Sequence, residues 1–156
     1  MRHGIDPRAI ELEVTEGVAV HDVGAVARRL GRTRDAGVRI AIDDFGTGYS
    51  SLAWLQDLPL DTLKIDRAFV ARLGEAGPDP SLVNAIQLLA SGLGLETVAE
   101  GVETEAELAR VRALACDFVQ GWVHAPAVAP EALAATVAAI EERTGAAGRS
   151  PWRRAA

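Results

Sequence analysis

The chain has 156 residues, of which 49% are hydrophobic, and a formal net charge of −6. That length suits one domain with a sizeable core, and the hydrophobic share excludes a disordered chain. The acidic balance argues against gripping a nucleic acid polymer through a broad basic face, and the single cysteine, Cys116, excludes an internal disulfide or a cysteine zinc cluster. No apolar run approaches a membrane span, and the first seven residues lack a charged-then-apolar signal peptide, so a cytoplasmic location is expected.

Residues 9–15 read as a strand, with Ile10, Leu12 and Val14 on one face and Glu11 and Glu13 on the other. Two acids on one strand face need a partner. Residues 22–36 have helical spacing, with Val23, Val26, Ala27 and Leu30 on one stripe and Gly37 as the stop. A strand follows at Val38, Ile40 and Ile42, ending at Asp43-Asp44 and a glycine-spaced turn, with Ser50 and Ser51 placed to cap a short helical piece at 52–55. Adjacent like charges at a fixed corner call for a cation between them or for water over both.

Pro59 breaks the chain before a third strand at 60–65, and helical residues resume at 67–73. A turn at 74–77 leads to Asp79-Pro80, which starts a helix over 82–93 closed by Gly92 and Gly94. The fourth strand, 95–99, runs into Glu100-Gly101-Val102-Glu103. Thr104 and Glu107 form a capping-box spacing for the helix through Leu114. A fifth strand at 117–120 enters Gly121-Trp122, Pro130 opens a helix to about residue 143, and 145–156 reads as a flexible tail.

This alternation predicts an α/β fold with a parallel sheet. Glu13, the Asp43-Asp44 pair, Lys64, Glu100 and Gln120 each fall at or near the C-terminal end of a different strand, where parallel α/β folds build their sites. A structural ion-pair network would balance its charges. Here four carboxylates face one lysine, the only lysine beside 15 arginines, which points to a divalent metal site.

The motifs Glu13-Val14-Thr15-Glu16, Asp43-Asp44-Phe45-Gly46-Thr47-Gly48-Tyr49-Ser50-Ser51-Leu52, Leu63-Lys64-Ile65-Asp66, Ala99-Glu100-Gly101-Val102-Glu103 and Gln120-Gly121 occur in this order. The chain resembles the EAL domain, the bacterial cyclic-di-GMP phosphodiesterase, over about residues 4 to 140. The resemblance implies a (β/α)8 TIM-type barrel that uses two Mg²⁺ or Mn²⁺ ions to hydrolyse cyclic-di-GMP to linear pGpG. It implies Glu13 on the first metal, Asp43 bridging, and Asp44 and Glu100 on the second metal. Lys64 would hold the attacking water, with Gln120 in the catalytic pocket. Glu16 would anchor the loop Phe45, Gly46, Thr47, Gly48, Tyr49 and Ser50, which couples the site to a homodimer, and Glu103 would be a supporting acid.

The sequence departs from the family pattern as well. A (β/α)8 barrel runs to about 250 residues, so residues 1–144 are expected to be a partial domain, truncated at the N-terminus, with about five of eight strands. The Glu-Ala-Leu strand and the asparagine-bearing strand are missing from it, and Asn84 lies within a helix and cannot replace the second. Trp122 stands at the usual tyrosine position and Ala127 where proline is common. The short chain is therefore expected to associate or fold poorly and to hydrolyse at most traces. Two other readings stay open: a degenerate module that binds cyclic-di-GMP or a protein without hydrolysis, and another metal-dependent barrel of enolase-like type.

Overall fold

The structure is a computed structural model and describes residues 4–20, 22–46, 53–74 and 81–145. After a 3-10 turn at Pro7–Ala9 come β1 (Glu11–Thr15), α1 (Glu16–Val20), α2 (Val23–Asp35), β2 (Arg39–Phe45), α3 (Ala53–Asp57), β3 (Thr62–Ile65) and α4 (Arg67–Gly74). Then follow α5 (Ser81–Leu93), β4 (Glu96–Ala99), α6 (Glu105–Ala113), β5 (Phe118–Val119), a 3-10 turn at Pro130–Ala132 and α7 (Leu133–Thr144).

All five strands are parallel and lie in chain order, β1-β2-β3-β4-β5. A doubly wound sheet reverses its order at a switch point. Here every crossover moves the same way, so right-handed connections put the helices on a single face, as in a (β/α) barrel. That face is apolar: Ile40, Ile42, Leu63, Ile65 and Ala99 pack with Leu30, Val70, Ile86, Ala90 and Val111 in one buried cluster. The opposite face carries Glu11, Glu13, Arg39, Thr62, Lys64 and Glu96, and its polar groups pair with one another.

Local signals act where the sequence puts them. The Asp22 carboxylate accepts from Ala25 N at the start of α2, and Gly37, at φ +99°, turns the chain after it. Thr104 and Glu107 complete the reciprocal capping box of α6.

The structure corrects several expectations. α5 runs through Gly92 and is stopped at Gly94 (φ +69°), because only the second glycine adopts the left-handed backbone. β2 continues through the acid pair to Phe45, and the fifth strand contracts to two residues. Glu16–Val20 forms a helix with no sequence forecast. Ile10 and Leu12 are 45% and 42% exposed while Val14 packs against the core, since β1 is an edge strand with a neighbour on one side only. The turn at 75–77, the cap Asp79-Pro80 and the tail from 146 lie outside the described residues.

Candidate metal centre

Consecutive strand residues point to opposite faces, so Asp43 and Asp44 should not share a site. A β-bulge brings them together. Ile42 pairs with Leu63 and Phe45 with Ile65, so three steps along β2 match two along β3. Asp44 takes φ +54°, a left-handed backbone that Asp tolerates better than most residues. The oxygens of Asp43, Asp44 and Glu100 thereby lie within 4.8 Å of one another. Glu100 arrives from the residue after β4, where its backbone N–H continues the ladder to Ile65 O at 3.1 Å.

Lys64 stands among these acids with its side chain 5% exposed. Nζ lies 2.5 Å from Glu13 Oε1, 2.7 Å from Glu100 Oε1 and 3.3 Å from Asp43 Oδ1. Burial alone would favour the neutral amine, but the hydrogen bonds to Glu100 and Glu13 and the nearby Asp43 charge outweigh it and hold the ammonium protonated well above its ordinary range. Glu100 is shifted up by its own burial, opposed by Lys64. Asp44 is shifted up chiefly by the Asp43 charge, then by burial and by Asp66. One cation does not balance this many carboxylates.

The other sequence-predicted residues fall around this cluster. Glu16 is buried, and its Oε2 accepts from Gly46 N at 3.3 Å, tying the start of α1 to the turn after Asp44. Phe45 is buried, and Gly46, at φ +96°, lies so close to Phe69 that a Cβ would stand 3.0 Å from its ring. Thr47, Gly48, Tyr49 and Ser50 lie outside the described residues. Glu103 and Gln120 line a cavity of about 440 Å³ together with Arg67 and Trp122, the last 68% exposed. Gly121 closes that wall by backbone approach, with no room for a Cβ beside Val102 O.

Sequence reasoning assigned no role to Asp66, whose charge helps to raise Asp44 and whose Oδ1 caps α4 by accepting from Ala68 N at 2.8 Å. The signal was available: Asp66 is two residues after Lys64, on the same strand face. Arg67 and Arg39 were likewise missed, the first because nothing in its spacing marks a cavity wall.

Hard oxygen donors that converge at the C-terminal ends of parallel strands, with Asp44 pushed up by the Asp43 charge and Glu100 by burial, suit a divalent cation such as Mg²⁺ or Mn²⁺. Fold and site thus define an acidic, metal-fitting β/α protein of barrel type. Comparison makes this particular: the profile of the EAL domain family matches residues 1–127, and the chain belongs to that family.

The chain is 44% identical over 138 residues to MucR of Pseudomonas aeruginosa, named a bifunctional diguanylate cyclase/cyclic di-GMP phosphodiesterase, covering 88% of this chain and 20% of MucR. A structure of the MucR phosphodiesterase with c-di-GMP matches at TM-score 0.79, over 85% of this chain and 53% of that one. The EAL domain of Mycobacterium smegmatis DcpA matches at TM-score 0.76 and 43% identity, over 83% of this chain and 58% of that one. The chain thus spans about a fifth of the curated relative and somewhat over half of these solved chains. No helix among the described residues is long and apolar enough to cross a membrane.

Proposed function

We propose that the chain carries the C-terminal share of a two-metal cyclic-di-GMP phosphodiesterase site, yielding linear pGpG. The observation that supports this most is the bulged Asp43-Asp44 pair meeting Glu100 within 4.8 Å beside the Lys64 ammonium. Glu13 and Asp43 would hold one Mg²⁺ or Mn²⁺, and Asp43, Asp44 and Glu100 the other. Two such ions, when bound, supply positive charge to the attacking and leaving oxygens of an in-line displacement.

The residues of the chain do the rest. Lys64, protonated throughout the working range, donates a hydrogen bond to the attacking water and fixes its lone pair toward phosphorus; it cannot take up the proton itself. The oxygen–phosphorus bond forms as one ester P–O bond breaks; the attacking water gives up one proton to solvent and the departing ribose oxygen takes one up from solvent. Gln120, Glu103, Arg67 and Trp122 border the cavity for the dinucleotide. Glu16 holds Gly46 and so the turn after Asp44, through which the domain pairs with a second copy.

A second reading is a module that binds the dinucleotide without turnover. Chromatography of cyclic-di-GMP incubated with Mn²⁺ and this chain joined to the upstream strands of the MucR phosphodiesterase separates the readings, since pGpG appears only under the first. Titration calorimetry with cyclic-di-GMP detects the second, and neither pGpG nor binding would defeat both.

A further inference from the structure

One step upstream of the acid–lysine cluster, on the same sheet face, a second polar layer crosses four strands. Arg39 of β2 donates through Nε to Glu11 Oε2 of β1 at 3.3 Å and through Nη2 to Thr62 Oγ1 of β3 at 2.9 Å. The same Nη2 donates to Glu96 Oε2 of β4, and Thr62 Oγ1 donates to Glu11 Oε2 at 2.7 Å. The Arg39 side chain is 11% exposed.

The two-residue period of a strand sets Glu11 beneath Glu13 and Thr62 beneath Lys64, while Arg39 and Glu96 stand beneath Asp43 and Glu100 by two such steps. Backbone ladders fix the spacing of neighbouring strands at about 4.8 Å. They leave free the curvature that decides how far a carboxylate on β1 stands from one on β4. A planar guanidinium with donors in a rigid fork is suited to fix that curvature, and a lysine is not.

We propose that Arg39 is a positioning residue, whose clamp on Glu11, Thr62 and Glu96 sets the span across which Lys64 bridges Glu13 and Glu100. The consequence for metal binding rests on the function proposed above; the consequence for Lys64 does not.

Because Lys64 is the only lysine of the wild type, protein labelled with ¹⁵N-lysine gives a single side-chain ammonium signal, readable without metal or substrate, and the second signal that Arg39→Lys adds is assigned by its persistence in Arg39→Lys/Lys64→Met. Three variants are compared with the wild type: Arg39→Lys, Thr62→Val and the neutral combination Glu11→Gln/Arg39→Met/Glu96→Gln, which leaves no carboxylate uncompensated. The expected result is a displaced Lys64 signal with faster proton exchange in all three, at unchanged melting temperature in the neutral combination, and no rescue by Arg39→Lys. The Mn²⁺ concentration that broadens the signal should rise about tenfold, the usual cost of losing an outer-shell partner. A wild-type signal that Mn²⁺ never broadens would refute the metal centre and leave the clamp to be judged on the metal-free signal. If the neutral combination does not fold, Thr62→Val decides. A Lys64 signal and exchange rate identical to wild type in the folded variants would overturn the proposal.

Discussion

Lys64 on β3 meets Glu13 on β1 at 2.5 Å across the whole width of β2. The β2 residue in register with Glu13 is Ala41, fully buried and carrying only a methyl group, so the lysine passes over it. A larger side chain there would fill the passage. Ala41→Leu is expected to lower stability by about 1–3 kcal/mol through overpacking, measured by urea unfolding, and to displace the Lys64 ammonium signal. An unchanged signal would contradict this account of the crossing.

Removing the lysine leaves its acids facing one another. Lys64→Met should destabilise the chain in EDTA by about 3–5 kcal/mol, the usual cost of stranding buried charge, and Mn²⁺ at about a hundred times its dissociation constant should return about 2.7 kcal/mol. Because folding raises the Lys64 pKa, its contribution is fully present below the unfolded value and is lost as pH rises through the folded one. Wild type should therefore lose stability in strong alkali by an amount that Lys64→Met does not show. Equal alkaline losses would count against it.

The raised carboxyls of Asp44 and Glu100 follow the same sign, since folding favours their protonated forms and stability falls as pH rises through their titration. Protons compete with metal at a higher pH than for ordinary carboxylates, so Mn²⁺ affinity should begin to fall on acidification at a higher pH than at a site of ordinary carboxylates. Metal also lowers both pKa values, so binding should release protons, seen as a dependence of the calorimetric heat on the ionisation heat of the buffer. Buffer-independent heats throughout the acidic range would contradict these raised carboxyls.

Burial pushes the Cys116 thiol up to about 11, with Thr97 opposing and the Asp117 charge assisting. At pH 8 its thiolate fraction is about a hundred times smaller than that of a free cysteine, so native labelling with an aromatic disulfide reagent should be slowed by about that factor and released by urea. Rapid labelling of the folded chain would refute this.

The alternation of strands and helices, the apolar faces and the cap of α6 were legible because periodicity and short-range side-chain chemistry determine them. The acid pair was legible as a pair, but the bulge that turns both toward one place was not, since it depends on how β2 registers against β3. Arg39 escaped notice for the same reason: its partners lie 28, 23 and 57 residues away. Gly92 and Gly94 look alike in sequence, and only the backbone shows that the second ends α5. Gly92→Ala should accordingly stabilise the chain by about 0.5–1 kcal/mol, whereas Gly121→Ala, with its Cβ 2.1 Å from Val102 O, should lower the melting temperature sharply.

The central claim is that these strand ends form one half of a metal-dependent phosphodiester site. Its most direct test joins this chain to the upstream strands of the MucR phosphodiesterase and measures pGpG released from cyclic-di-GMP with Mn²⁺. The account predicts rapid release by the joined protein, at most traces from the short chain, and a loss of about 10²-fold or more in Glu13→Ala, Asp43→Asn or Lys64→Ala, with Lys64→Ala sparing metal binding more than the two acid changes. Full-rate hydrolysis by the short chain, or undiminished hydrolysis by the joined Asp43→Asn variant, would contradict it.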